Sequence, residues 1–178
     1  MKEHKQAMAI DPRELPTLRL LDEMGISYVR YEHALALTMH DCEDIGRDIG
    51  AHHFKNLFLC NRQKTKYYLL LIAAGKQFHT ADISKQLGVS RLSFCTEEQL
   101  MDRLGLLPGS VTPMALAHKG TEDITVIIDE DILSMDTVCV HPCVSSASLA
   151  IKLDDLVRFL AKTGNKICIV RPQSPEEA

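Results

Sequence analysis

Apolar residues near the start of the chain recur at helical spacing: Leu15, Leu18, Leu21 and Met24 follow Asp11-Pro12 and precede Gly25. An acidic cap, a proline suited to the first turn and a terminal glycine mark one amphipathic helix. Ser27 to Glu32 has strand character. Asp41 to Ile49, with acids early and Ile45 and Ile49 four apart, predicts a short helix entered from a Thr38-Met39-His40 turn. The apolar runs Lys55 to Asn61 and Tyr67 to Ala73 surround the polar stretch Arg62 to Lys66, the pattern of a hairpin of mostly buried strands.

Further along, Thr80 can cap a helix over Ala81 to Leu87 ended by Gly88, and Thr96 with Gln99 makes a capping-box pattern for a helix to Leu104. Arg91 to Cys95 between them is strand-like. The two glycines and two prolines of Gly105 to Pro113 forbid regular structure, whereas Met114 to Ala117, Ile124 to Ile128 and Thr137 to Val140 read as strands. Asp154 to Lys162 is a helix closed by Gly164, and Lys166 to Val170 a last strand. Without strict strand and helix alternation, the expected class is mixed α/β (α+β): a single domain with a curved mixed β-sheet surrounded by helices. Its expected bounds are residues 13–171, with a flexible N-terminal segment over 1–12 and a frayed tail over 172–178.

With 178 residues and 46% apolar content, the chain can bury one sizeable core. Its formal charge of −4 argues against non-specific coating of nucleic acid or DNA, which needs many cationic contacts to phosphates. Yet Arg47 to Lys66 holds Arg47, Lys55, Arg62, Lys64 and Lys66 against the single acid Asp48, a local hint of an anionic ligand. The six cysteines (Cys42, Cys60, Cys95, Cys139, Cys143 and Cys168) are scattered among apolar neighbours, as buried thiols are in a reducing compartment. The start lacks the hydrophobic region of a secretory signal, and the longest apolar stretch, Tyr67 to Ala74, is strand-sized. A soluble cytoplasmic protein with no membrane partner is the expectation.

No phosphate-cradling loop, dinucleotide fingerprint or zinc-protease helix is present, which removes most weight from kinases, dehydrogenases and zincins. Ser110 directly follows Gly109 and does not make a nucleophile elbow. Cys139, His141 and Cys143 alternate as ligands on an extended segment would, but a structural zinc site wants a second close pair, so no metal is expected. The adjacent His52 and His53 read as a solvated turn. Two features keep functional weight. Lys55-Asn56 places a cation and an amide at the rim of a buried strand, where ligands are often met. The Gly109 to Pro113 loop, together with His141-Pro142, offers rigid backbone that can aim amides at a developing oxyanion.

In this order, Gly50-Ala51-His52-His53-Phe54-Lys55-Asn56-Leu57-Phe58-Leu59, Pro108-Gly109-Ser110-Val111-Thr112-Pro113 and His141-Pro142-Cys143-Val144-Ser145-Ser146-Ala147-Ser148 resemble the YbaK-like editing family. That family includes the insertion domain of bacterial prolyl-tRNA synthetase and its stand-alone relatives; the branch most resembled is the stand-alone alanyl-tRNA(Pro) deacylases. The likeness runs from about Arg13 to Arg171. It implies metal-free, cofactor-free hydrolysis of the ester between an amino acid and the terminal adenosine of tRNA(Pro). It also implies a catalytic role for the positions of Lys55, Gly109 and His141. Relatives commonly read His-Pro-Leu-Val-Asn-Thr-Ala-Thr where this chain has Cys143, Ser145, Ser146 and Ser148, a departure that bears on the preferred amino acid.

The expected reaction is attack by water on the ester of a wrongly attached small amino acid, alanine first. Amides of Gly109, Ser110, Val111, Thr112 and Pro113's loop would receive the oxyanion, and Lys55 would bind a phosphate or sugar oxygen. Thr38, Met39 and Asn56 are the expected pocket wall, with Ser145 at its edge. Partners are the aminoacylated 3′ end of tRNA(Pro) and, as delivering agents, prolyl-tRNA synthetase or an elongation factor. Two rivals stay open: a cysteinyl-tRNA(Pro) deacylase, and an inactive tRNA- or synthetase-binding module of the same fold.

Overall fold

A computed structural model of the chain describes residues 9–36 and 38–173, apart from the side chain of Met39. Residues 1–8 of the expected N-terminal segment and 174–178 of the expected tail lie outside the described residues. The first helix, α1 (Leu15–Glu23), is preceded by a 3-10 turn, Pro12–Glu14, in which Asp11 and Glu14 form a reciprocal capping box. Leu18 and Leu21 give α1 its buried stripe, and the buried Glu14 carboxylate takes a forked ion pair from Arg30 at 2.7 and 2.8 Å. That pair fastens the helix start to β1 (Tyr28–Glu32).

Then follow α2 (Met39–Asp48), β2 (Phe54–Cys60), β3 (Tyr67–Ala73), α3 (Thr80–Leu87), β4 (Ser93–Phe94), α4 (Glu97–Leu104), β5 (Thr125–Asp129), β6 (Thr137–Val140), β7 (Ala147–Lys152), α5 (Leu153–Lys162) and β8 (Ile167–Val170). The mixed α/β class holds. Among the described residues the strands divide into a three-stranded antiparallel sheet, β1-β7-β6, and a five-stranded mixed sheet, β4-β2-β3-β5-β8. The two meet at a bridge between His52 and Val138.

The expected hairpin is present, with Phe54 opposite Ala73 and Cys60 opposite Tyr67. β3 is apolar throughout because both its faces are buried: Leu69 and Leu71 enter the main core, Leu70 and Ile72 a smaller cluster beneath α3. Its parallel pairing with β5 suits such two-sided burial. The main core joins the two sheets, since it takes Val138, Val140, Leu149 and Ile151 from one and Phe58, Leu69 and Val126 from the other.

Three local expectations need correction, and one strand was not anticipated. Met114 to Ala117 is not a strand but most of a 3-10 helix, Pro113–Ala117; Pro113 sets its first φ and Thr112 caps it. A short run of buried apolar residues has no period to tell the two apart. Thr38 is the N-cap of α2 rather than part of a preceding turn, in a capping box with Asp41. The cap of α3 is His79, while the Thr80 hydroxyl donates to the Leu92 carbonyl. The strand β7, which the apolar pattern does not single out, is the centre of its sheet despite its small residues Ala147, Ser148 and Ala150.

Candidate functional site

Lys55 stands one residue inside the start of β2, with Asn56 beside it. Its ammonium donates to the backbone carbonyl of Lys76, in the turn after β3. That turn is itself pinned. Lys76 Nζ meets Asp129 Oδ1 at 2.9 Å and Asp131 Oδ2 at 2.7 Å, while the fully buried Asp129 also accepts the Ala73 amide at 3.0 Å. An ammonium has three donors, so those not used on Lys76 can serve a ligand.

The Gly109 loop approaches from the other side. The Ser110 amide donates to the Leu107 carbonyl at 3.1 Å, closing a turn with Pro108 and Gly109 at its centre. Gly109 has φ +83°, the left-handed geometry that the third position of a type II turn requires. Two hydrogen bonds fix the loop to the segment after β6: Thr112 Oγ1 donates to the His141 carbonyl at 2.7 Å, and Ser145 Oγ to the Gly109 carbonyl at 3.4 Å.

Lys55, Asn56, Gly109, Val111, His141 and Thr38 line one cavity of about 240 Å³. Ala36, Cys42, His53 and Phe54 complete its wall. Of the other residues singled out in the sequence, Ser110 and Thr112 are buried behind the wall and hold the loop's shape. Pro113 opens the 3-10 helix, and Ser145 braces Gly109 from outside. The side chain of Met39 lies outside the described residues. The Ser110 amide, spent within its turn, is not available to an oxyanion; among the described residues the amides of Gly109 and Val111 have no such partner.

His141 is buried, and its Nδ1 lies 3.0 Å from the Ala147 carbonyl. Facing a carbonyl, Nδ1 must carry the proton, which leaves Nε2 as an acceptor; this tautomer follows from the bonding pattern. Nε2 is 3.8 Å from Cys42 Sγ. Burial lowers the His141 pKa despite the favourable Ala147 bond. Burial, with His141 as neighbour, pushes His53 down to about 4. His53 Nδ1 is sealed from solvent without a hydrogen-bond partner. An unpaired lone pair costs less there than an unpaired N–H, so His53 keeps its proton on Nε2.

The expected solvated turn at His52-His53 is not present: His52 is exposed but bridges Val138 in extended backbone, and His53 belongs to the cavity. Its position two residues before Lys55 on extended backbone was the available signal. Cys42 had one too, four residues after Thr38 at helical spacing. The basic cluster divides. Arg62, Lys64 and Lys66 form the turn at the far end of the β2–β3 hairpin, about 20 Å along the strand from Lys55. Cys139, His141 and Cys143 also diverge, since Cys143 Sγ turns into the core beside Thr17 Oγ1 at 3.6 Å.

A family model described as an aminoacyl-tRNA editing domain matches residues 35–159, a span that includes every wall residue of this cavity. The chain belongs to the aminoacyl-tRNA editing domain family. The Prolyl-tRNA editing protein ProX of Acetoanaerobium sticklandii is 28% identical over 82% of this chain and 88% of its own. The Prolyl-tRNA synthetase associated domain-containing protein 1 of Xenopus laevis is 30% identical over 92% of this chain and 98% of its own. A crystal structure described as a candidate trans-editing enzyme for prolyl tRNA synthetase superimposes with a TM-score of 0.71, covering 93% of this chain and 100% of its own. At 18% identity that likeness speaks for the fold. Among the described residues no helix is long and apolar enough to cross a membrane.

Proposed function

We propose that this editing-domain protein is a trans-acting deacylase that hydrolyses the ester of a wrongly attached small amino acid, alanine first, from tRNA(Pro). The observation that carries the reading is the meeting of Lys55, Gly109, Val111 and His141, from separate parts of the chain, around one cavity of about 240 Å³. Pockets for drug-sized ligands run from about 300 to 1,000 Å³. The present one suits an aminoacyl group and leaves the nucleoside outside. Steric exclusion then refuses a larger side chain, which contact energy alone discriminates poorly.

In this reading the carbonyl oxygen, as it becomes tetrahedral, is received by the Gly109 and Val111 amides. The unused donors of Lys55 hold a sugar or phosphate oxygen of the terminal nucleotide. His141 Nε2, unprotonated at neutral pH, accepts a hydrogen bond from the attacking water or the vicinal ribose hydroxyl. His53 offers an N–H at Nε2, a donor complementary to the His141 acceptor.

The test is ester loss from alanyl-, cysteinyl- and prolyl-tRNA(Pro) with purified protein. Alanyl-tRNA(Pro) is expected to be cleaved fastest and prolyl-tRNA(Pro) spared. Lys55→Ala should lower the rate on the order of a hundredfold, the scale of losing a group that positions the ester against its oxyanion donors, with the fold retained because Asp129 and Asp131 still pin the Lys76 turn. Preference for the cysteinyl ester would reassign the substrate, and no hydrolysis of any ester would leave a binding module. Full activity in His141→Ala would remove the histidine from the mechanism.

A further inference from the structure

Strand alternation places Lys55, Leu57 and Leu59 on one face of β2. Leu57, Leu59 and Phe78 accordingly pack together in the smaller core cluster. Phe94 lies directly opposite Leu59 in β4 and so projects from this same face. It is 61% exposed, unusual for so large an apolar side chain on a strand. Its ring meets that of Phe78 edge to face, with centroids 5.4 Å apart and planes at 75°. The two rings and the exposed Arg91 border a groove of about 290 Å³, also lined by Thr80, Leu92 and Ser93.

This groove carries Arg91 and lies between Lys55 on one side and the basic turn of the hairpin on the other, Lys76 being neutralised by Asp129 and Asp131. Phe78 is two residues past Lys76, whose carbonyl holds the Lys55 ammonium. On the other side Ser93 pairs with Cys60, next to the turn that bears Arg62, Lys64 and Lys66. Glu97 and Glu98 follow only in the first turn of α4. Four residues of strand separate Lys55 from the level of Phe94, about 13 Å, or roughly four stacked nucleotides at about 3.4 Å each. Exposed aromatic faces beside cations are how single-stranded nucleic acid is held without reading its sequence. A protein partner would call for a broad apolar surface, whereas these rings are framed by Arg91, Thr80 and Ser93.

We propose that Phe94 and Phe78, with Arg91, form a stacking platform for the unpaired 3′-terminal nucleotides of the RNA whose aminoacyl end enters the cavity; the identity of that RNA rests on the hydrolase reading above. The platform explains how a chain of formal charge −4 can hold a nucleic acid: it grips a short unpaired end instead of coating a duplex.

The probes are an unacylated RNA hairpin with an unpaired ACCA 3′ end and its blunt-ended twin, titrated by fluorescence anisotropy at low salt. Wild type should bind the overhanging hairpin more tightly than the blunt one. Phe94→Ala should weaken the overhanging hairpin about tenfold or more and leave the blunt one alone, while Phe94→Trp should restore binding. A thermal melt checks that this exposed edge-strand change leaves the fold intact. Equal affinities of Phe94→Ala and wild type, equal losses for both hairpins, or no binding by wild type each overturn the platform. A changed sedimentation coefficient in Phe94→Ala with RNA binding unaltered would instead identify a protein interface and also overturn it. If wild type binds the overhang through Phe94 yet cleaves no aminoacyl ester, the platform stands and the hydrolase reading falls.

Discussion

His53 shows how much a single side chain can owe to its surroundings. Held against His141 with Nδ1 sealed and unpaired, it is pushed down to about 4 by burial first and by the neighbouring imidazole second. The unfolded chain, with an ordinary histidine value near 6.5, binds more protons between these limits, so stability must fall as pH drops through that window. The corresponding free energy is about 3 kcal/mol, present in full at pH 7 and lost between about pH 6.5 and 4. Urea titrations of wild type and His53→Gln at pH 7.5 and 4.5 should show the larger loss in wild type. The difference between the two proteins is the informative quantity, since burial displaces His141 in the same direction. Parallel losses in both would mean that His53 titrates as it does in water.

Among the elements, α2 carries Thr38 and Cys42 to the cavity wall, and its seat depends on one residue. A Cβ on Gly46 would come within 2.9 Å of the Ala51 carbonyl oxygen and 3.6 Å of His53 Cβ. The first contact is with backbone and cannot be relieved by a rotamer change. Overpacking of this kind costs about 1–3 kcal/mol, against about 1 kcal/mol that alanine gains over glycine within a helix. Gly46→Ala is therefore expected to melt a few degrees lower and to lose several-fold in deacylation, because the helix must lift from the His53 segment. Wild-type turnover in this variant would show that the position of α2 does not matter to the chemistry. Elements with local signals were largely legible in the chain: the Thr96 and Gln99 capping box marks α4, and the hairpin follows from two apolar runs about a polar turn. β4 shrank to Ser93 and Phe94, and β7 went unseen, because pairing partners make these strands and composition does not.

For the whole molecule, the cavity lies where the two sheets meet. Lys55 and Asn56 come from the five-stranded sheet, His141 from the end of β6, Thr38 and Cys42 from the link between β1 and β2, and Gly109 and Val111 from the loop after α4. Displacement of one sheet against the other would open the site. The shared main core opposes this, since its side chains come from both sheets. Chemical denaturation is thus expected to give one transition, coincident by far-ultraviolet circular dichroism and by tyrosine near-ultraviolet signal. Two separated transitions would show that the sheets fold as independent units and that the cavity forms only when they dock.

The chain by itself determined the Asp11 and Thr96 caps, the hairpin, the irregular Gly109 loop and the family to which these belong, because each is written in contiguous residues. Lys55, Gly109 and His141, which line one cavity, could be singled out for the same reason. Only the tertiary structure decided that His53 and Cys42 join them, that the Ser110 amide is spent within its own turn, and that the basic turn of Arg62, Lys64 and Lys66 lies far from Lys55. Those outcomes depend on the pairing of distant strands and on the direction each side chain takes once buried, and neither is encoded in local spacing.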